Sequence, residues 1–226
     1  MTWPTDYLNQ VIHGDCLEVM RGIPDKSVDL VLTDPPYGIE RDKGFEGFGG
    51  FGVPIERKRY EDDEWDSCRP DKKYFDEILR VGKAVLIFGG NFFADILPAG
   101  THWVVWDKQN TMPTFGDAEL VWTNSKRKSV KIITRQYNGL IGRETERNHP
   151  TQKPVDVIKW LIECYSANAD LILDPFFGSG TTGVAAKLLS RQFIGIEISE
   201  KYCEIARKRI DGTLVNRKLQ FTEARV

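Results

Sequence analysis

At 226 residues, 41% of them hydrophobic and 28% charged, the chain is long enough for one sizeable core. It has no apolar run of about 18 residues and no charged-then-apolar leader, which excludes a membrane-spanning helix and points to a single cytoplasmic domain over residues 1–226. A formal net charge of −2 excludes a globally basic nucleic-acid binder but leaves room for local patches, and four scattered cysteines in no CxxC pair exclude a disulfide framework or a zinc site.

In chain order, "QVIH" (10–13) and "VDLVLT" (28–33) are short β-rich runs, and the second runs straight into "DPPYG". Prolines cannot continue a sheet ladder, and they fix the backbone where it leaves the strand. The stretch "GFEGFGGFG" (44–52) has no periodicity and reads as a long loop, a candidate lid. "DKKYFDEILRVG" (71–82) is an amphipathic helix closed by a glycine; strands follow at 84–89, 103–106 and 118–122. "VKIITRQY" (130–137) reads either as an eighth strand or as a hairpin arm outside the sheet, and 138–154 as a second long loop. Then come a helix over 154–167 with Pro154 at its first position, a strand at 170–174, a helix at 181–189, a strand at 193–197 and a helix at 199–210. This alternation predicts an α/β fold, a mostly parallel sheet with helices on both faces. Trp103, Trp106 and Trp122 are expected in the core of its second half.

"LILDPFFGSGTTGVAA" (171–186) is a strand, a glycine-rich turn and a helix start. Gly178 and Gly180 let the backbone pass close to a ligand, and the helix N-terminus offers free N–H groups. Glu197 lies 23 residues beyond Asp174 and ends the next strand, where an acid can accept hydrogen bonds from ribose hydroxyls. The spacing fits an adenosine-containing cofactor, and taken alone it fits an unliganded tight turn as well. His13, His102 and His149 share no ligand spacing, so no metal is expected. Lys126, Arg127 and Lys128 read equally as a solvated turn or as phosphate contacts.

Four motifs in one chain, "GDCLEVM" (14–20), "DPPY" (34–37), "HPTQKP" (149–154) and "DPFFGSGTT" (174–182), resemble those of the amino-methyltransferases that act on exocyclic nitrogens of DNA bases. The order, catalytic motif before cofactor motif, is similar to that of the beta class. The resemblance implies a Rossmann-like, seven-stranded, mostly parallel sheet with one reversed strand, S-adenosylmethionine as cofactor and double-stranded DNA as partner. It implies that Asp34 and the carbonyl of Pro35 accept hydrogen bonds from the target amino group, with Pro36 fixing the turn and Tyr37 stacking on a flipped base. Asp15 and Cys16 would lie at the cofactor adenine and Glu197 at its ribose. Asp174, Phe176, Gly178, Ser179, Gly180 and Thr181 would surround its methionine part, and Thr151 and Lys153 would reach its carboxylate. Asp at the first position of "DPPY" points to adenine N6, since N4-cytosine enzymes of this group more often carry Ser there. The alternatives are N4-cytosine methylation and a non-catalytic member of the family. Methylation of a protein glutamine amide fits worse, because its motif begins with Asn and follows the cofactor motif. Residues 123–148, only 26, form a short candidate target-recognition insert. A short target, or a homodimer, would follow, with a cognate restriction endonuclease as a candidate partner in a bacterial or phage setting.

Overall fold

In the computed structural model, which describes residues 1–39, 69–110, 116–137, 152–166 and 170–214, eight strands form one sheet in the order β1-β8-β7-β2-β3-β5-β4-β6. In chain order the elements are β1 (Gln10–His13), α1 (Cys16–Met20), β2 (Val28–Thr33), α2 (Lys72–Val81), β3 (Gly82–Phe88) and a 3₁₀ turn (Gly90–Phe93). They continue with β4 (Trp103–Asp107), β5 (Ala118–Thr123), β6 (Val130–Thr134), α3 (Val155–Tyr165), β7 (Leu171–Asp174), α4 (Thr181–Leu188), β8 (Gln192–Glu197) and α5 (Glu200–Gly212). All neighbouring strands are parallel except that β5 runs against both β3 and β4, so one strand is reversed, as the resemblance implied.

Among the described residues the strand count is eight, not seven. Residues 130–134 are no hairpin arm: β6 pairs in parallel with β4, from Trp103↔Val130 to Asp107↔Thr134. Both edges of β5 are already occupied, so the chain leaving it is carried past β4 to the free edge on the far side. Val130 and Ile132 stay exposed there while Ile133 packs on the core.

The sheet is buried on both faces. On one, α3, α4 and α5 cover Leu30, Leu32, Leu86, Phe88, Val104 and Trp106; on the other, α1 and α2 cover Val31, Val85, Ile87, Ile194 and Ile196. Trp106 and Trp122 are in the core as expected, and Trp103 is partly buried beside them. Gly82 does not close α2 with a left-handed turn; it opens β3 at φ −87. Its role is packing, since a Cβ there would lie 2.7 Å from a Val31 methyl. Pro154 sits one residue earlier than expected, as the N-cap of α3. The five-residue α1, absent from the sequence expectation, is held by Asp15, whose side chain accepts from the Leu17 N–H at 2.9 Å. No described helix is long and apolar enough to cross a membrane.

Two consequences position the site. The chain runs from β2 to β3 in one direction along the sheet and from β7 to β8 in the other, so the order reverses between β2 and β7. In open α/β sheets that crevice, at the carboxyl ends of the strands, is where ligands bind. Asp34 and Asp174 lie at that edge, as does the start of the reversed β5 with Glu119. The turn between β5 and β6, with Lys126, Arg127 and Lys128, lies at the opposite edge.

Candidate active site at the β2–β7 crevice

Thr33, the last residue of β2, donates its hydroxyl to Asp174 Oδ1 at 2.7 Å and so ties the two strands together across the crevice. Asp174 also accepts from the Phe176 N–H (3.1 Å) and, on Oδ2, from the Thr182 hydroxyl (2.6 Å). Burial outweighs these three bonds and pushes its carboxyl up to about 7.

The turn that follows wraps from β7 into α4. Gly178 has φ +51, and no protein heavy atom lies within 4 Å of the place its Cβ would take, so its backbone faces the open cleft. Gly180, at φ +81, and Gly183 serve packing instead: a Cβ would stand 2.7 Å from the Ala206 side chain in the first case and 2.7 Å from Ile210 in the second. Space is thus open at Gly178, whereas at Gly180 and Gly183 the packing of α5 already leaves no room for a side chain. Arg209 on α5 holds the turn from behind, donating to the Ser179 carbonyl (2.6 Å) and hydroxyl (3.0 Å), and the Ser179 hydroxyl donates to Gln152 Oε1 (3.1 Å). Glu197 accepts from the N–H of Gly178 (2.7 Å) and of Ser199 (2.9 Å); burial raises its carboxyl while these donors pull it back.

Next to Glu197, the Gly14 N–H donates to the Glu197 carbonyl, which brings Asp15 and Cys16 to the same end of the sheet. Tyr74 links Asp15 (3.3 Å) to the ring of Phe176 (centroids 6.3 Å apart). The Cys16 thiol is pushed to about 12 by burial and the neighbouring Asp15, which makes it a packing group rather than a nucleophile.

Asp34 follows β2 directly. Pro35 is buried and Pro36 half-buried, so the turn is rigid and solvent-poor. The Tyr37 hydroxyl donates to Asp34 Oδ1 at 2.5 Å, and the Tyr37 ring stacks on Phe92 (4.7 Å, 16°). The Lys153 ammonium is hydrogen-bonded to Asp34 Oδ2. It also lies 3.4 Å from Glu119 Oε2, while Lys108 holds Glu119 Oε1 at 2.6 Å. Burial raises the Asp34 carboxyl above the usual range, Lys153 pulls it down and Glu119 pushes it up.

Asp15, Cys16, Asp34, Pro35, Pro36, Tyr37, Lys153, Asp174, Phe176, Gly178, Ser179, Gly180, Thr181 and Glu197 are therefore gathered at one edge of the sheet, around an open cleft lined in part by Asp34, Lys153, Asp174 and the glycine turn. Lys153 meets Asp34 and Glu119 where the resemblance assigned it a cofactor carboxylate. Lys126, Arg127 and Lys128 are not brought to the site; they are exposed at the far edge of the sheet. Thr151 and the candidate lid at 44–52 lie outside the described residues. Sequence reasoning missed Thr33, Phe92, Lys108, Glu119, Gln152, Thr182 and Arg209. A signal existed for Glu119, a lone acid inside the otherwise apolar "AELVW".

The cleft suits S-adenosylmethionine on its own evidence. Two carboxylates are held in desolvated positions where a cationic ligand would favour their charged forms, and the glycine turn leaves room for the ligand's backbone-hugging end. The family profile described as DNA methylase matches residues 101–208. The chain is 30% identical over 250 residues to the Type II methyltransferase M.HinfI of Haemophilus influenzae, covering 91% of this chain and 69% of that protein. It is 29% identical to the Type II methyltransferase M2.DpnII of Streptococcus pneumoniae, covering 94% of each. Among solved structures, the M1.HpyAVI–SAM complex is similar at 25% identity with a TM-score of 0.55, covering 89% of this chain and 98% of that one. The PvuII DNA methyltransferase (cytosine-N4-specific) shares the fold at 18% identity with a TM-score of 0.58, covering 93% and 90%. The chain belongs to the N6/N4 DNA methylase family and is an S-adenosylmethionine-dependent DNA methyltransferase.

Proposed function

We propose that this enzyme methylates the N6 amino group of adenine in double-stranded DNA, on a base flipped out of the helix into the crevice beside Asp34. The observation that carries the reading is Asp34 itself: an acid fixed by two prolines at a strand end, at the mouth of the cleft that also holds the glycine turn. S-adenosylmethionine supplies, when bound, a methyl carbon activated by its sulfonium, so that the new N–C bond forms as the electron pair of the C–S bond returns to sulfur. An aromatic amine is a poor nucleophile because its lone pair is delocalised into the ring. Asp34 and the Pro35 carbonyl accept its two hydrogens out of the ring plane and so favour the pyramidal nitrogen that attacks, an interaction strongest in the transition state. Asp34 is also the nearest base for the proton that the nitrogen sheds. Tyr37, whose ring stacks on Phe92 and lies 5.9 Å from the Lys153 ammonium, is the ring assigned to stack on the flipped base.

On the cofactor side, Glu197 accepts from the ribose, Asp15 and Cys16 border the adenine, and Asp174 with Phe176, Gly178, Ser179, Gly180 and Thr181 surrounds the methionine part. Much of the rate gain comes from holding nitrogen and methyl in line. The choice of adenine rests on Asp, not Ser, at position 34. Similarity to Type II methyltransferases supports a companion restriction endonuclease for the same target. The test is nucleoside mass spectrometry of unmethylated genomic DNA treated with the enzyme and S-adenosylmethionine: N6-methyladenine is expected, and N4-methylcytosine alone would overturn the base assignment.

A further inference from the structure

Ser179 stands between Gly178 at φ +51 and Gly180 at φ +81, and two glycines in the left-handed region leave the peptides around it free to swing. Restraint has to come from outside the turn. Glu197 supplies part of it, on the Gly178 N–H at 2.7 Å, and α5 supplies more. Ala206 of that helix fills the space at Gly180, Ile210 fills the space at Gly183, and Arg209 lies between them in the sequence. From a single nitrogen, Nη1, Arg209 donates to the Ser179 carbonyl (2.6 Å) and hydroxyl (3.0 Å), with a third, longer approach to the Thr181 hydroxyl (3.3 Å). We infer that Arg209 is a positioning residue for the amino-acid end of S-adenosylmethionine, acting through Ser179 and Thr181 to set the wall against which that end binds.

The cleft is lined by Ser179 and Thr181 but not by Arg209, which is half-buried behind them, so its influence on a ligand passes through the turn. Ser179 and Thr181 are both buried, where a lost donor is not simply replaced by water, and a cationic donor makes the stronger bond. One bond also orients another. With Arg209 on the oxygen of the Ser179 hydroxyl, the hydroxyl hydrogen is directed to Gln152 Oε1 at 3.1 Å, which joins the turn to the segment that carries Lys153. The guanidinium charge lies where α4 begins, at Thr181, and adds to the positive end of that helix, while the amino-acid end of the cofactor carries a carboxylate. Without Arg209 the Ser179 carbonyl has to find another donor, and the glycines on either side let it turn to do so. The adenosine end is assigned to other residues, Asp15, Cys16 and Glu197, so the loss falls on one end of the ligand.

Arg209 has this role only if the glycine turn is the wall of the methionine part, as proposed above, and the test separates the two. Affinity is measured by calorimetry for S-adenosylhomocysteine, the product of methyl transfer, and by competition with it for methylthioadenosine, which keeps the adenosine and the sulfur but lacks the amino-acid end. Arg209→Met is expected to weaken S-adenosylhomocysteine by about tenfold or more, the scale of a lost charge-assisted hydrogen bond, and to leave methylthioadenosine within about twofold of the wild type. A fall of equal size for both ligands is what a purely structural role gives, and it overturns the inference. Arg209→Lys keeps the charge on a single ammonium of shorter reach and is expected to fall between the two, with the same preference for losing the amino-acid ligand; it carries the test if Arg209→Met does not fold. Gly178→Val serves as the control. Normal S-adenosylhomocysteine affinity in Arg209→Met overturns the role of Arg209 alone if Gly178→Val weakens that ligand, whereas normal affinity in both variants removes the turn itself from the cofactor site.

Discussion

Replacing Asp174 by Asn is expected to make the protein more stable at neutral pH and worse at holding its cofactor. Asp174 is 5% exposed, and its three hydrogen bonds do not compensate for burial, which lifts its carboxyl from 3.8 to about 7. At roughly 1.4 kcal/mol per pH unit that rise corresponds to about 4 kcal/mol between the charged and neutral forms. The folded protein therefore holds this proton more tightly than the unfolded chain. The resulting stabilisation is complete below 3.8 and is lost as pH rises through about 7. Asn has the same shape, can still accept from Thr33 and Phe176, and never ionises. Its amide can donate to a rotated Thr182 hydroxyl. Urea unfolding of both proteins from pH 4 to 8 reads the effect as a difference, which cancels the other carboxylates. The variant is expected to gain on the wild type by up to about 4 kcal/mol across that range. A difference that stays flat with pH would refute the buried, proton-holding site. Cofactor binding should show the complementary cost. A cationic ligand favours the ionised Asp174, so wild-type affinity for S-adenosylmethionine is expected to rise with pH toward about 7, and the Asn variant to lose that rise.

Three further outcomes follow from the same geometry. Gly178→Val puts a β-branched residue at φ +51 and its side chain into the open cleft, so calorimetry is expected to show S-adenosylmethionine affinity down by about tenfold or more in a folded protein; unchanged affinity removes the turn from the cofactor site. Tyr37→Phe keeps the ring but removes a donor that lowers the Asp34 carboxyl, so that group rises further and the ascending limb of the pH–rate profile moves to higher pH; a profile that stays in place contradicts the bond's role. Replacing Lys126, Arg127 and Lys128 together by Ala is expected to leave the salt dependence of DNA affinity unaltered, because they lie at the edge of the sheet away from the crevice; a slope reduced by about 2 to 3 would make them phosphate contacts after all.

What was legible in the sequence follows from how locally each feature is encoded. Buried parallel strands announce themselves as short apolar runs, and Asp34, Asp174 and Glu197 are visible because each closes such a run where the chain must turn. The eighth strand was ambiguous because it lies on the sheet's edge with Val130 and Ile132 in solvent, which blurs the two-residue period. The glycine turn was recognised, but the work of each glycine was not, since what a Cβ would meet depends on Ala206 and Ile210 of α5, far along the chain. The same holds for the charges. Asp34, Lys108, Glu119 and Lys153 come from four separate segments and meet only because β5 runs backwards and returns Glu119 to the catalytic edge. A reversed strand leaves no local mark on the residues that it carries.

The account turns on Asp34 as the group that readies the target nitrogen. The most direct measurement is single-turnover methyl transfer by wild type and Asp34→Asn on unmethylated genomic DNA, with the modified nucleoside identified by mass spectrometry and cofactor affinity measured on the same preparations. The Asn variant is expected to bind S-adenosylmethionine normally yet form N6-methyladenine slower by about a hundredfold or more, the scale of losing one transition-state hydrogen bond. Transfer at the wild-type rate by a folded, cofactor-binding Asp34→Asn protein would contradict it.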